Sequence, residues 1–196
     1  MKKIIAASLM VLALCLLALG CGQAKLTSQE VKGSVTTLQM DLPFTLEQQA
    51  KEVAAQNDYV TKITDNRITQ AKGMDFHLTQ FTTYVMNQDK MKADAKTAEN
   101  QKKFEEKALD GYLTAFEKNA KATEKSRDAK TVTISGKDAT VTTVQCKMKG
   151  EDETLKVVFL PLPEEYWFIA FAYPKEHEDD QGKLADKIIS SIQVKE

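Results

Sequence analysis

Cysteine, histidine and glycine are scarce in this chain of 196 residues, which has 3, 2 and 8 of them, respectively. C-x-x-C, H-E-x-x-H, G-x-S-x-G, the P-loop and G-x-G-x-x-G do not occur in the sequence. We therefore expect no cofactor, no metal and no enzymatic activity, and a hydrolase with an unrecognised site is the alternative. The net charge of −1 argues against a nucleic-acid partner, because such binders are strongly basic.

The N-terminal segment consists of two lysines followed by an apolar run over residues 4–19. This run is too short to span a bilayer and is typical of an export signal. The sequence Leu17-Ala18-Leu19-Gly20-Cys21 resembles a bacterial lipobox. The resemblance implies that residues 1–20 are cleaved and that Cys21 carries lipid. An ordinary signal peptide and an uncleaved anchor stay open as alternatives.

Export with lipidation predicts three parts in the chain: the cleaved signal 1–20, the lipidated cysteine with a tether over 21–33, and a single domain over 34–196. The domain keeps only Cys146, so we expect no internal disulfide. Cys146 shares its strand phase with Val144 and Met148 and is expected to point inward. The lipid would hold the protein at the periplasmic face of an outer membrane, or at the outer face of the cytoplasmic membrane where there is only one membrane.

The first half of the domain predicts a mixture of strands and helices. Alternating apolar residues favour a strand over 34–42, and helical spacing favours a helix over 45–56. The turn pair Asp65-Asn66 favours a hairpin over 58–71. Threonines and aromatics favour a strand over 74–86, and Phe104, Ala108, Tyr112 and Phe116 predict a long amphipathic helix over 97–121.

The second half predicts strands over 131–135, 139–148, 154–160 and 166–173, and then a final helix to Ile192. Both phases of the strand 166–173 are apolar, so both of its faces must be covered. Two good helices are available to cover them. The expected fold class is therefore α+β, with a mainly antiparallel sheet and helices on both faces, an α/β/α sandwich.

The two ends of the domain together resemble one known family. Residues 39–44 close a strand with an Asp-Leu-Pro turn, and residues 168–194 join an aromatic strand, Pro174 and a helix. This order is similar to that of the PsbP-like family, which includes DcrB-type bacterial lipoproteins. The resemblance implies an α/β/α sandwich that works as a small binding or assembly module, and it implies no catalytic residues.

The aromatic strand also provides the candidate binding residues Trp167, Phe168, Phe171 and Tyr173. They would line an apolar cleft between sheet and helix, or simply form the core. The leading functional expectation is a lipid-anchored, non-enzymatic binding or assembly module with a cell-envelope protein as its partner. The alternative is a carrier of a small apolar ligand that uses this cleft.

The remaining candidates are polar. His77 is expected on the wetter face of its strand, with no partner that the sequence can assign. The acidic residues around His177, from Glu176 to Asp180, suit a helix N-terminus, and a weak cation site is the alternative. Two carboxylate pairs, Asp152-Glu153 and Glu164-Glu165, are expected to be solvated in turns.

Overall fold

The computed structural model describes residues 25–46, 50–55, 57–68 and 76–195, which form ten strands and three α-helices. The strands are β1 Thr27–Lys32, β2 Thr37–Leu42, β3 Lys51–Val53, β4 Val60–Ile68, β5 Leu78–Met86, β6 Thr123–Ile134, β7 Lys137–Met148, β8 Glu151–Pro161, β9 Glu165–Pro174 and β10 Gln193–Lys195. The helices are α1 Gln88–Asp94, α2 Ala98–Ala120 and α3 Lys183–Ser190. The expected signal peptide and Cys21 lie outside the described residues. Within the described ranges, no helix is both long and apolar enough to cross a membrane.

The strands form two antiparallel sheets. Seven strands make the large sheet, in the order β3-β4-β5-β9-β8-β7-β6, and three make a small sheet, in the order β1-β2-β10. Neighbouring strands pair antiparallel in both sheets. The expectation of a mixed α+β fold with mainly antiparallel sheet is thus confirmed.

Strand β9 lies at the centre of the large sheet, and its two faces belong to two cores. Trp167, Ile169, Phe171 and Tyr173 pack against the small sheet and α3. Phe168, Ala170 and Ala172 pack on the opposite face, together with Tyr112, Leu113 and Phe116 of α2. One face is therefore covered by a long helix, and the other by a sheet and a helix of eight residues.

Helix α2 was predicted from its four-residue apolar spacing, and the prediction over 97–121 is confirmed. Thr97 caps its N-terminus by accepting a hydrogen bond from the backbone N–H of Asn100 at 3.2 Å. Lys121 ends it in the left-handed region, with a φ of 52°. The helix buries Tyr112, Leu113 and Phe116.

The strands β6, β7 and β8 are joined by two tight hairpins. Ser135-Gly136 and Lys149-Gly150 make the turns, and all four residues have positive φ. Positive φ at both turn residues is the type I′ arrangement that matches the twist of the flanking strands. The predicted strands over 131–135, 139–148 and 154–160 are confirmed, and each extends further than its apolar pattern indicated.

Three local predictions are wrong. Residues 27–32 of the expected tether form β1, which pairs with β2 along its whole length. Residues 51–53 of the expected helix form β3, which pairs with β4. Within the expected hairpin over 58–71, residues 60–68 form the single strand β4, because partners on β5 satisfy the polar side chain of Asp65. Residues 69–71 of that prediction lie outside the described residues.

The predicted C-terminal helix is shorter than expected. It starts with a 3₁₀ turn, Lys175–His177, and a π-helical turn, Glu178–Gly182, before α3 begins. Past α3 the chain forms β10, which pairs with β2 and so closes the small sheet.

Candidate functional site

The first candidate site is a groove of about 680 Å³ between α2 and the outer strands β3, β4 and β5. Toward the N-terminus of α2, Phe104 and Ala108 are half-buried and face this groove. The ring of Phe104 contacts that of Tyr59, with 4.8 Å between the ring centroids. The apolar walls also include Val53, Val60, Ile63, Met86 and Phe116.

A polar cluster lies at the floor of the groove. Asp65 and Thr82 face each other across β4 and β5, and so do Arg67 and Gln80. The Asp65 carboxylate accepts hydrogen bonds from Gln80 Nε2 at 2.6 Å and from Thr82 Oγ1 at 2.9 Å. Gln80 and Thr82 are buried, so these bonds satisfy groups that would otherwise be costly to hold away from water.

Tyr112 of α2 brings a buried hydroxyl to the same groove. Its ring stacks on Phe168 at 4.5 Å, and its side chain is 5% exposed. Among the described residues, no group accepts a hydrogen bond from this hydroxyl. Burial raises its pKa, so the hydroxyl stays protonated near neutral pH. The hydroxyl is enclosed beneath the groove, next to Thr82 of the polar cluster.

The four aromatic residues expected to line a cleft are separated by the sheet. Trp167, Phe171 and Tyr173 lie in the core beneath α3, whereas Phe168 lies beneath α2. All four have no exposed surface. The groove instead lies over β4 and β5, on the side of the large sheet that faces α2, where Phe168 also lies. The sequence feature that could have indicated this groove is the pair of polar residues Gln80 and Thr82 on the side of β5 that faces α2.

The second candidate site lies at one end of the large sheet, where His77, Glu151 and Glu153 come together. His77 Nδ1 is 2.6 Å from Glu153 Oε1. The Glu153 side chain is 2% exposed, so the expectation that it is solvated is wrong. Burial raises the pKa of its carboxyl, and the hydrogen bond with His77 opposes part of that effect.

Cys146 lies opposite Glu153 on the neighbouring strand β7. It is 2% exposed, as its strand phase predicted. Burial, with a smaller contribution from Glu153, raises the pKa of its thiol to about 11. A thiol that is protonated at neutral pH is a poor nucleophile, so this cysteine is a packing residue.

The acidic segment around His177 does not assemble a comparable cluster. His177 Nε2 lies 3.7 Å from Glu176 Oε1, and both side chains are solvent-exposed by 40% or more. Within the described part of the chain, the residues that come close enough to share a metal ion are His77, Glu151 and Glu153. Sequence reasoning missed this cluster because His77 and Glu153 are far apart along the chain.

No protein-family model and no curated protein sequence matches the chain. Solved structures do resemble it. The solution structure of cyanobacterial PsbP (CyanoP) from Synechocystis sp. PCC 6803 is 12% identical, covers 90% of this chain and 96% of its own, and has a TM-score of 0.49. LpqN, involved in cell envelope biogenesis of Mycobacterium tuberculosis, is 10% identical, covers 87% and 92%, and has a TM-score of 0.38.

Proposed function

We propose that this chain is a non-enzymatic binding module of the cell envelope, held at a membrane by lipid on Cys21. The lipobox-like sequence supports the anchor. Strand β1 begins at Thr27, six residues after Cys21. Six extended residues reach at most about 20 Å, so an anchored domain would stay close to the lipid surface. An α/β/α sandwich of the PsbP-like kind is part of this proposal, and α2 and α3 on opposite faces of the large sheet support it.

The observation that carries the binding function is the groove beside α2. Its volume falls in the range of small-molecule sites, and such sites combine apolar walls with a few polar groups. The guanidinium of Arg67, which is exposed and lines the groove, would donate to an acceptor on the ligand. The ligand class is therefore a small molecule with an apolar body and one hydrogen-bond acceptor. This is the carrier alternative, with the ligand placed in the groove beside α2 instead of in a cleft beside the strand 166–173.

Native mass spectrometry of the full chain extracted from membranes tests this assignment. Gly111 lines the groove from α2, and the side chain of Gly111→Leu would occupy part of it. Thr114→Leu is the matched control, because Thr114 is exposed on the same helix and does not line the groove. We expect a bound mass of several hundred daltons with the wild type and Thr114→Leu, and its loss with Gly111→Leu. Equal retention by both variants would exclude the groove.

In-cell crosslinking tests the assembly function separately, with Cys21→Ser as the unlipidated control. A protein that crosslinks only to the anchored form, together with a wild type that carries no bound mass, would favour an assembly module over a carrier. Cys21→Ser is also expected to lose incorporation of a labelled fatty acid. Continued labelling of that variant would contradict the anchor.

A further inference from the structure

We propose that His77, Glu151 and Glu153 form a surface-accessible site for a divalent transition-metal ion of the Zn²⁺ type. The three side chains offer one imidazole nitrogen and two carboxylates, and their ligand atoms all lie within 4.8 Å of one another. Imidazole and carboxylate are common zinc ligands. None of the three residues lines the groove beside α2, so this site is independent of the proposed ligand.

The backbone brings these side chains to one end of the large sheet. Glu151 and Glu153 are two residues apart on β8, so they point to the same face of the sheet. His77 immediately precedes β5, and its backbone N–H donates to the carbonyl of Ala172 on β9 at 2.8 Å. Since β9 lies between β5 and β8 and is antiparallel to both, β5 and β8 begin at the same end of the sheet.

Glu153 supplies an independent sign that a cation belongs here. One carboxylate oxygen, Oε1, faces His77, but the other, Oε2, is buried and accepts no hydrogen bond from any described residue. A buried carboxylate oxygen without a partner is costly and uncommon in folded proteins. A metal ion that binds both oxygens of this carboxylate, together with His77 and Glu151, would satisfy it.

The distances bracket those of a tetrahedral ion. Metal–ligand bonds of about 2.0–2.1 Å place the ligand atoms of such a site about 3.4 Å apart. The His77–Glu153 separation of 2.6 Å is shorter than this, and the limit of 4.8 Å for the whole group is longer.

Exposure makes the site open rather than enclosed. The His77 side chain is 43% exposed and Glu151 is exposed, so an ion could enter from solvent. Three protein ligands leave a fourth position of a tetrahedral ion for water or another molecule. A plain His77–Glu153 ion pair is the rival explanation. It accounts for Oε1 of Glu153 but gives no role to Oε2 or to Glu151.

Calorimetric titration of the chelator-treated full chain in detergent with ZnCl₂ distinguishes these explanations. We expect one Zn²⁺ per chain for the wild type, and binding at least 10-fold weaker for His77→Gln and Glu151→Gln. His177→Gln is the matched control, because it removes the other histidine of the domain and should bind like the wild type. Glu151 is exposed, so Glu151→Gln should fold normally and its loss of binding would not reflect unfolding.

The outcomes separate cleanly. Stoichiometric binding that depends on His77 and Glu151 but not on His177 supports the site. Absence of stoichiometric binding by the wild type overturns it. Binding lost with His77→Gln but unchanged with Glu151→Gln overturns the three-ligand site, and so does binding that is lost with His177→Gln.

Discussion

Thr36 and Glu165 are joined by two hydrogen bonds although 129 residues separate them along the chain. The backbone N–H of Thr36 donates to Glu165 Oε2 at 2.8 Å, and its hydroxyl donates to the same oxygen at 2.7 Å. The hydroxyl also accepts from Trp167 Nε1 at 2.7 Å. The backbone N–H groups of Ser34 and Val35 donate to the carboxylate as well. One buried carboxylate thus fastens the turn between β1 and β2 to the central strand of the large sheet.

Glu165→Gln should therefore lower the free energy of unfolding by about 2–3 kcal/mol, because hydrogen bonds to a charged acceptor are stronger than neutral ones. Thr36→Val should lower it by about 2 kcal/mol, since it leaves the buried Trp167 N–H without its acceptor and removes one of the three donors to Glu165 Oε2. Urea unfolding followed by circular dichroism measures both. Thr133→Val, at an exposed position of β6, is the control and should change stability by less than about 0.5 kcal/mol. Equal stabilities for all three variants would show that this contact contributes nothing.

The sequence predicts those elements whose apolar pattern is set by burial, and fails where polar groups are buried. The strand 166–173 and helix α2 were predictable because their apolar residues repeat at the spacing of the element. Glu153 and Glu165 were expected to be solvated. A single sequence cannot show that His77 contacts Glu153, or that Thr36, in the turn between β1 and β2, contacts Glu165. Asp65-Asn66 favours a turn locally, but cross-strand partners outweigh that preference.

The candidate sites were harder to predict than the fold for the same reason. The groove exists because α2 packs over β4 and β5. The cluster of His77, Glu151 and Glu153 exists because β5 and β8 begin at the same end of the sheet. Neither relationship is local in the chain. The PsbP-like resemblance concerned the order of elements and carried no site residues.

Lys156 and Asp186 give a second prediction about stability. The Lys156 side chain is 8% exposed, and its Nζ donates to Asp186 Oδ1 at 3.0 Å and to the Gly182 carbonyl at 3.2 Å. Glu178 Oε1 lies 3.6 Å from the same nitrogen. Asp186→Ala should cost about 1–2 kcal/mol, because it weakens the compensation of a buried cation while Glu178 remains.

Lys156→Met should cost less than about 1 kcal/mol, since it removes the buried charge and leaves the half-exposed Asp186 to water. Adding Asp186→Ala to Lys156→Met should then have almost no effect. A double-mutant cycle by urea unfolding gives the coupling. A coupling energy near zero would mean that the two side chains do not fasten α3 to the sheet.

Gly111 provides a stabilising substitution in α2. It is exposed in the interior of the helix, and a Cβ built there meets no atom within 4 Å. Gly111→Ala should raise stability by about 1 kcal/mol, the difference in helix propensity. Gly150→Ala is the contrasting variant. Gly150 has a φ of 95°, which alanine adopts only with strain, so this substitution should lower the stability of the protein. Thermal unfolding of both proteins checks this, and a shift of the same sign in both would contradict the backbone argument.

Cys146 offers a count of free thiols that tests burial and lipidation together. Its side chain is 2% exposed, so a thiol reagent should reach it only when the domain opens. The mature folded protein should react with dithionitrobenzoate at least about 100-fold more slowly than the same protein in urea. In urea it should release one equivalent of product per chain, because a Cys21 that carries a thioether-linked lipid has no free thiol. If the intact mass shows that residues 1–20, with Cys15, are absent, two equivalents in urea would show that Cys21 is unmodified. Fast reaction of the folded protein would show that Cys146 is not held in the core beneath α2.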